Sequence, residues 1–192
     1  GYYAKQMGLP VGRLVCASNR NNVLTDFLRT GTYDARRTFY KTTSPSMDIL
    51  ISSNLERLLY HVSGSSEKVA GWMQELSATG KYTVDAETLA KIQQSFAAGY
   101  ADDADGAAEI KARFDGDHYL CDTHTAVAFR VAETRRTDAP MVVLSTASPF
   151  KFPRDVLTAL GVEAPASDFA AMAALTAGTG AEAPASLREL DK

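Results

Sequence analysis

Much of what marks a common functional site is missing from this sequence. Only two cysteines, Cys16 and Cys121, occur in 192 residues, too few for a disulfide scaffold. Each sits in an apolar run, Leu14-Val15-Cys16-Ala17 and Tyr119-Leu120-Cys121. That reads as a buried free thiol in a reducing compartment, so a cytoplasmic location is expected. The histidines His61, His118 and His124 do not combine with those cysteines into metal-site spacing, and no metal is expected. No stretch approaches about 18 consecutive apolar residues, which excludes a membrane-spanning helix, and no signal segment is visible. Basic charge is scarce too: 20 Lys and Arg stand against 23 Asp and Glu, a net charge of −3. The tight basic pairs, Arg36-Arg37 and Arg135-Arg136, read as solvated surface. Neither a nucleic acid nor a membrane is therefore expected as a partner. The G-x-G-x-x-G, P-loop and G-x-S-x-G patterns are also absent.

What remains is a chain with 45% hydrophobic residues, long enough for one sizeable core with a smaller appendage. It opens Gly1-Tyr2-Tyr3-Ala4-Lys5, without methionine and already in a helical pattern, so a piece of a longer protein is expected. Residues 1–7 read as the end of a helix, stopped by Gly8-Leu9-Pro10. Arg13 to Ala17 has the length and polarity of a buried strand, Ser18 to Asn22 is a polar loop, and Val23 to Arg29 is helical. Helix, strand and helix joined by short connections predict an α/β fold wound on a parallel sheet. Pro45 could open a further helix. Ile51, Leu55, Leu58, Leu59 and Val62 share one face of a helix.

Helices are predicted at 65–79, at 85–97 capped by Asp85, and at 102–114 with an acidic start. Trp72 reads as core. From Asp122 to Arg135 the pattern is again helical, with His124, Val127 and Val131 on one face. Met141 to Leu144 reads as a buried strand feeding the loop Ser145-Thr146-Ala147-Ser148, and Phe152 to Leu160 as a helix. The division this implies is 1–60 in an α/β domain, 61–118 as a helical insertion, 119–161 as the rest of the α/β domain, and 162–192 as an Ala-rich tail with one helix near 167–176.

Ligands of wound α/β sheets bind beyond the carboxyl ends of strands. Two such ends are visible, Ser18 to Asn22 and Ser145 to Ser148. Each is either a ligand loop or a polar turn. Asp122 is placed to cap the following helix. His124 is either a satisfied core histidine or a chemical group.

Four ordered blocks carry a resemblance. They are Ala4-Lys5-Gln6-Met7-Gly8-Leu9-Pro10 with Arg13 to Asn19 and Asn22-Val23-Leu24; Ser44 to Ile49 running into Ser52-Ser53-Asn54-Leu55-Glu56-Arg57; Asp122 to Ala128; and Leu144 to Phe152. Together, over residues 1–161, they resemble the C-terminal portion of threonine synthases, with the 162–192 tail outside the match or weakly matched. The resemblance implies part of the large domain of a fold type II pyridoxal-phosphate (PLP) enzyme, with a parallel sheet and a helical insertion. It implies an activity that converts O-phosphohomoserine and water to threonine and phosphate. It places a hydroxyl, Thr146 first and Ser145 second, against the cofactor's pyridine nitrogen. It makes Asn54, Arg57, His124 and Asp122 candidates on the substrate side. Ser148 stands where the family often has histidine. The family's Ser-Phe-Lys-Asp block, which carries the Schiff-base lysine, is absent. Lys151 belongs to a different block and is not assigned that role. This chain alone is therefore expected to lack bound PLP, to be inactive, and to self-associate along an uncovered sheet edge. The alternatives are another fold type II enzyme, such as a threonine or serine dehydratase, and a non-catalytic amino-acid-binding module.

Overall fold

The computed structural model describes every residue except Thr146 and Lys192, and Asp191 by its main chain only. The chain forms two compact units. Unit 1 comprises residues 1–41 and 47–100, and unit 2 comprises 42–46 and 101–192.

Unit 1 begins with helix α1 (Tyr2–Gln6), strand β1 (Leu14–Ser18), helix α2 (Val23–Thr30) and strand β2 (Thr32–Asp34). Helix α2 ends on Gly31, whose φ of 76° turns the chain directly into β2. Helices α3 (Asn54–Ser63) and α4 (Ser66–Thr79), strand β3 (Lys81–Thr83), helix α5 (Ala86–Ser95) and strand β4 (Phe96–Tyr100) follow. Strand β1 pairs with β4 in parallel, Leu14 opposite Phe96 through Ser18 opposite Tyr100. Strands β2 and β3 pair antiparallel, with Tyr33 opposite Tyr82. The core holds Val23, Phe27, Tyr33, Leu59, Tyr82 and Ile92, each no more than 1% exposed. Burying each large side chain of this set contributes about 1.5–3 kcal/mol.

Unit 2 consists of helices α6 (Asp103–Asp117), α7 (Thr123–Glu133), α8 (Pro153–Ala159), α9 (Asp168–Thr179) and α10 (Ala185–Arg188). Its core gathers Ile110, Ala126, Phe150, Val156, Leu157 and Leu175. Among the described residues, no helix is long and apolar enough to cross a membrane.

Several elements depart from the sequence expectations. The helix expected over 85–97 stops at Ser95, and Phe96 to Tyr100 is a strand. Phe-Ala-Ala-Gly-Tyr has strand-favouring aromatics only at its ends and three small residues depleted in strands between them, so the β1 ladder is what holds it extended. The stretch read as a helical insertion, 61–118, thus contributes a parallel strand to unit 1 and α6 to unit 2.

The strand expected at 141–144 does not form. Val142 is 80% and Leu144 72% exposed, and neither sheet takes the segment. An extended apolar run becomes a strand only where a neighbour completes its backbone hydrogen bonds. Pro45 opens a single 3₁₀ turn, Pro45–Met47, rather than an α-helix. Ile51 lies outside α3 because Leu50 and Ser52 are held by Tyr33, whose hydroxyl donates to the Leu50 carbonyl and accepts the Ser52 N–H, both at 2.9 Å. The tail is more ordered than its composition suggests: α9 buries Ala171, Met172 and Leu175.

Candidate functional site

In unit 1 the loop after β1 is a closed polar network. Asn19 and Asn21 are 1% and 3% exposed. The Asn19 amide donates to Asp48 Oδ1 at 2.7 Å. The Asn21 amide donates to the same oxygen at 3.0 Å and to the Tyr40 carbonyl at 2.8 Å. The Tyr40 N–H returns a bond to Asn21 Oδ1 at 2.9 Å. Arg20 is exposed, its guanidinium carbon 3.8 Å from the centre of the Tyr40 ring. Of the two readings open for this loop, the asparagines fit the structural one. They tie together the two flanks of the segment between Tyr40 and Asp48.

The structure brings Asn54 and Arg57 together on the first turn of α3, where Arg57 Nη2 donates to Asn54 Oδ1. Both are exposed, and both line a cleft of about 380 Å³. Cys16, Leu24, Leu58 and Phe96 give that cleft apolar walls, and Ser52 and His61 add polar ones. Burial pushes the Cys16 thiol above its usual range. An exposed guanidinium on an apolar cleft suits an anion with a short aliphatic body.

In unit 2 the structure brings Asp122 and His124 together at the N-terminus of α7. Asp122 is fully buried and His124 is 5% exposed. Asp122 Oδ1 accepts the backbone N–H groups of His124 at 2.8 Å and of Thr125 at 3.3 Å, which is the N-cap expected from sequence. It also lies 3.0 Å from His124 Nδ1, and Asp122 Oδ2 accepts the Thr125 hydroxyl. Burial alone would push the Asp122 carboxyl up. The hydrogen bonds from His124 and Thr125 outweigh it and hold the group below the ordinary carboxylate value. On the far side of the ring, His124 Nε2 accepts the Ser46 backbone N–H at 3.0 Å. A backbone amide only donates, so Nε2 carries the lone pair and the proton sits on Nδ1, facing Asp122. The ring centre lies 4.8 Å from that of Phe152.

Ser145 is exposed at the end of 141–145, a stretch without regular secondary structure. Thr146, the first choice for the cofactor's ring nitrogen, lies outside the described residues. Ser148 caps the 3₁₀ turn Pro149–Lys151, its Oγ accepting the Phe150 N–H at 3.3 Å. Lys151 is exposed, with its ammonium 5.6 Å from the centre of the Phe152 ring. Sequence reasoning missed Ser46 and Asp48 as individual residues, although both lie inside the second block, Ser44 to Ile49.

A family model described as "Threonine synthase, C-terminal" matches residues 125–191. Threonine synthase from Pseudomonas aeruginosa is 40% identical over 169 residues, 86% of this chain and 36% of that protein. The PLP-bound threonine synthase structure from Brucella melitensis matches with a TM-score of 0.85 and 41% identity, over 99% of this chain and 38% of that one.

In sequence and in fold the chain is similar to the C-terminal portion of threonine synthases. The yeast threonine synthase structure agrees, with a TM-score of 0.85 and 32% identity over the whole of this chain and 39% of that one. A human protein named "Threonine synthase-like 1" is 37% identical over 84% of this chain and 22% of its own length. The chain thus spans well under half the length of each relative. Its mixed fold of helices and parallel sheet is that of a partial fold type II domain. The match also runs beyond the four blocks: the 162–192 stretch, expected to lie outside it or to match weakly, falls within the threonine synthase family model as far as residue 191.

Proposed function

We propose that this chain is the C-terminal portion of a cytoplasmic threonine synthase, which converts O-phosphohomoserine and water to threonine and phosphate with PLP. The observation that carries the reading is 41% identity together with a TM-score of 0.85, over 99% of the chain, to a threonine synthase described as PLP-bound.

The side chains present fit the pyridine end of that cofactor. Ser145 offers an exposed hydroxyl, and the stretch 145–149 holds no carboxylate. A hydroxyl there, from Thr146 or Ser145, would hold a ring nitrogen without fixing a full positive charge on it. PLP, when bound, supplies an electron sink for carbanions, and a neutral ring is the weaker sink that favours replacement and elimination over transamination. Arg57, bonded to Asn54 at the unit 1 cleft, is the candidate for pairing with the substrate's phosphate or carboxylate. Asp122 and His124 act as structural support, because both ring nitrogens of His124 are engaged.

The Schiff-base lysine is supplied by a part of the parent enzyme outside this sequence, so the chain alone is inactive and free of covalent PLP. Exposed Val142 and Leu144 favour self-association of the isolated chain. A monodisperse monomer in light scattering contradicts that last point.

Product analysis of the full-length parent tests the reading. Threonine and phosphate formed in equal amounts from O-phosphohomoserine support it. Formation of 2-oxobutyrate from threonine instead assigns a dehydratase. Amino-acid binding without turnover assigns a non-catalytic module.

A further inference from the structure

We propose that His124 is a positioning residue, which holds the Ser44-Pro45-Ser46 turn in place by accepting the Ser46 amide hydrogen on a neutral imidazole. The inference rests on geometry inside unit 2, and only its kinetic test draws on the threonine synthase reading.

Three observations fix the ring. Asp122, fully buried and locked as the N-cap of α7, takes the Nδ1 proton. Phe152 lies against the imidazole, 4.8 Å between centres. Nε2 then faces a partner that can only donate, the Ser46 N–H at 3.0 Å. A general base needs a nitrogen open to a substrate proton, and His124, 5% exposed with both nitrogens engaged, has none.

The turn it holds is short and tied at both ends. Thr43 donates its N–H and its hydroxyl to Asp103 Oδ1, at 3.2 and 3.1 Å. Two residues beyond Ser46, Asp48 accepts from both Asn19 and Asn21 in the loop after β1. That loop follows the carboxyl end of a parallel strand, the place where wound sheets bind ligands. Losing the His124 bond leaves the turn held by the Thr43 and Thr42–Ser44 contacts on one side and by Asp48 on the other, with its middle, at Ser46, released.

Two variants separate the two ends of the imidazole. In His124→Gln the Oε1 atom falls near the place of Nε2 and can still accept from Ser46. In His124→Asn the Nδ2 atom falls near the place of Nδ1, keeps the bond to Asp122 and stops short of Ser46. The readout is amide hydrogen exchange at Ser46 in the full-length protein carrying this chain. His124→Gln should leave Ser46 exchange near wild type. His124→Asn should speed it about tenfold, the effect of removing one buried hydrogen bond, while the Thr125 amide stays protected. Equal exchange in the two variants, or an unprotected Ser46 amide in the wild type, overturns the proposal.

The kinetic arm uses O-phosphohomoserine. A positioning role predicts that His124→Asn raises KM with kcat little changed, and that His124→Gln restores KM. An equal loss of kcat in both variants assigns proton transfer to His124 and overturns the positioning role. If the wild-type parent does not turn over O-phosphohomoserine at all, the functional reading fails, and Ser46 exchange still decides the role of His124.

Discussion

The carboxamide of Asn21 donates to Asp48 Oδ1 at 3.0 Å and to the Tyr40 carbonyl at 2.8 Å, so one side chain closes the base of the segment between them. Truncating it removes these bonds from half-buried Tyr40 and Asp48. Asn21→Ala should lower stability by about 1–3 kcal/mol. Asn21→Asp should cost more, because it sets a second carboxylate against Asp48. Urea denaturation of the two variants checks the order. An unchanged midpoint in either shows that the network does not hold the segment.

Asp122 gives a pH dependence of known sign. Its folded pKa lies below the ordinary value, so its contribution to stability is full above the unfolded carboxylate range of about 4 and is lost as pH falls through the folded value. Asp122→Asn should therefore be less stable than wild type at neutral pH, and the gap should close in acid. Thermal melts from neutral to acidic pH read this directly. A gap that stays constant with pH contradicts it.

The unit 1 core depends on aromatic stacking. Tyr82 is 1% exposed, its ring parallel to Tyr33 at 5.3 Å between centres, with Phe27 also in contact range. Tyr82→Ala should cost about 3–5 kcal/mol. Tyr33→Phe keeps the stack but removes the hydroxyl that bridges Leu50 and Ser52, and should cost about 1 kcal/mol. Chemical denaturation gives both values. Similar costs for the two would mean that the bridge, not the stacking, dominates.

Arg57 carries the substrate-side expectation. In the full-length parent, Arg57→Ala should raise KM for O-phosphohomoserine about tenfold to a hundredfold, the span of a lost charge-assisted hydrogen bond. Arg57→Lys should recover part of it, since an ammonium keeps the charge and loses the planar fork. Unchanged KM in Arg57→Ala removes the residue from the substrate site.

The sequence made the local pieces of this architecture readable, and its non-local pieces were hidden. Val23 to Thr30 announces itself through apolar periodicity and a terminal glycine, and the Asp122 cap follows from its place before an apolar helix. Phe96 to Tyr100 could not be read as a strand, because only its pairing with β1, some eighty positions earlier, makes it one. Met141 to Leu144 misled in the opposite direction: its composition suits a buried strand, and among the described residues no strand pairs with it. At the candidate sites, family blocks pointed to Asn54 with Arg57 and to Asp122 with His124. The role of His124 depended on Ser46, a partner 78 residues away that no spacing argument reaches.

The proposed function makes this chain one part of a PLP-dependent threonine synthase, with the cofactor lysine elsewhere in the parent. Phosphate release from O-phosphohomoserine, measured with PLP present for the full-length parent and for this chain alone, tests it most directly. Release by the parent and none by the chain is expected. Release by the chain alone, or by neither, contradicts it.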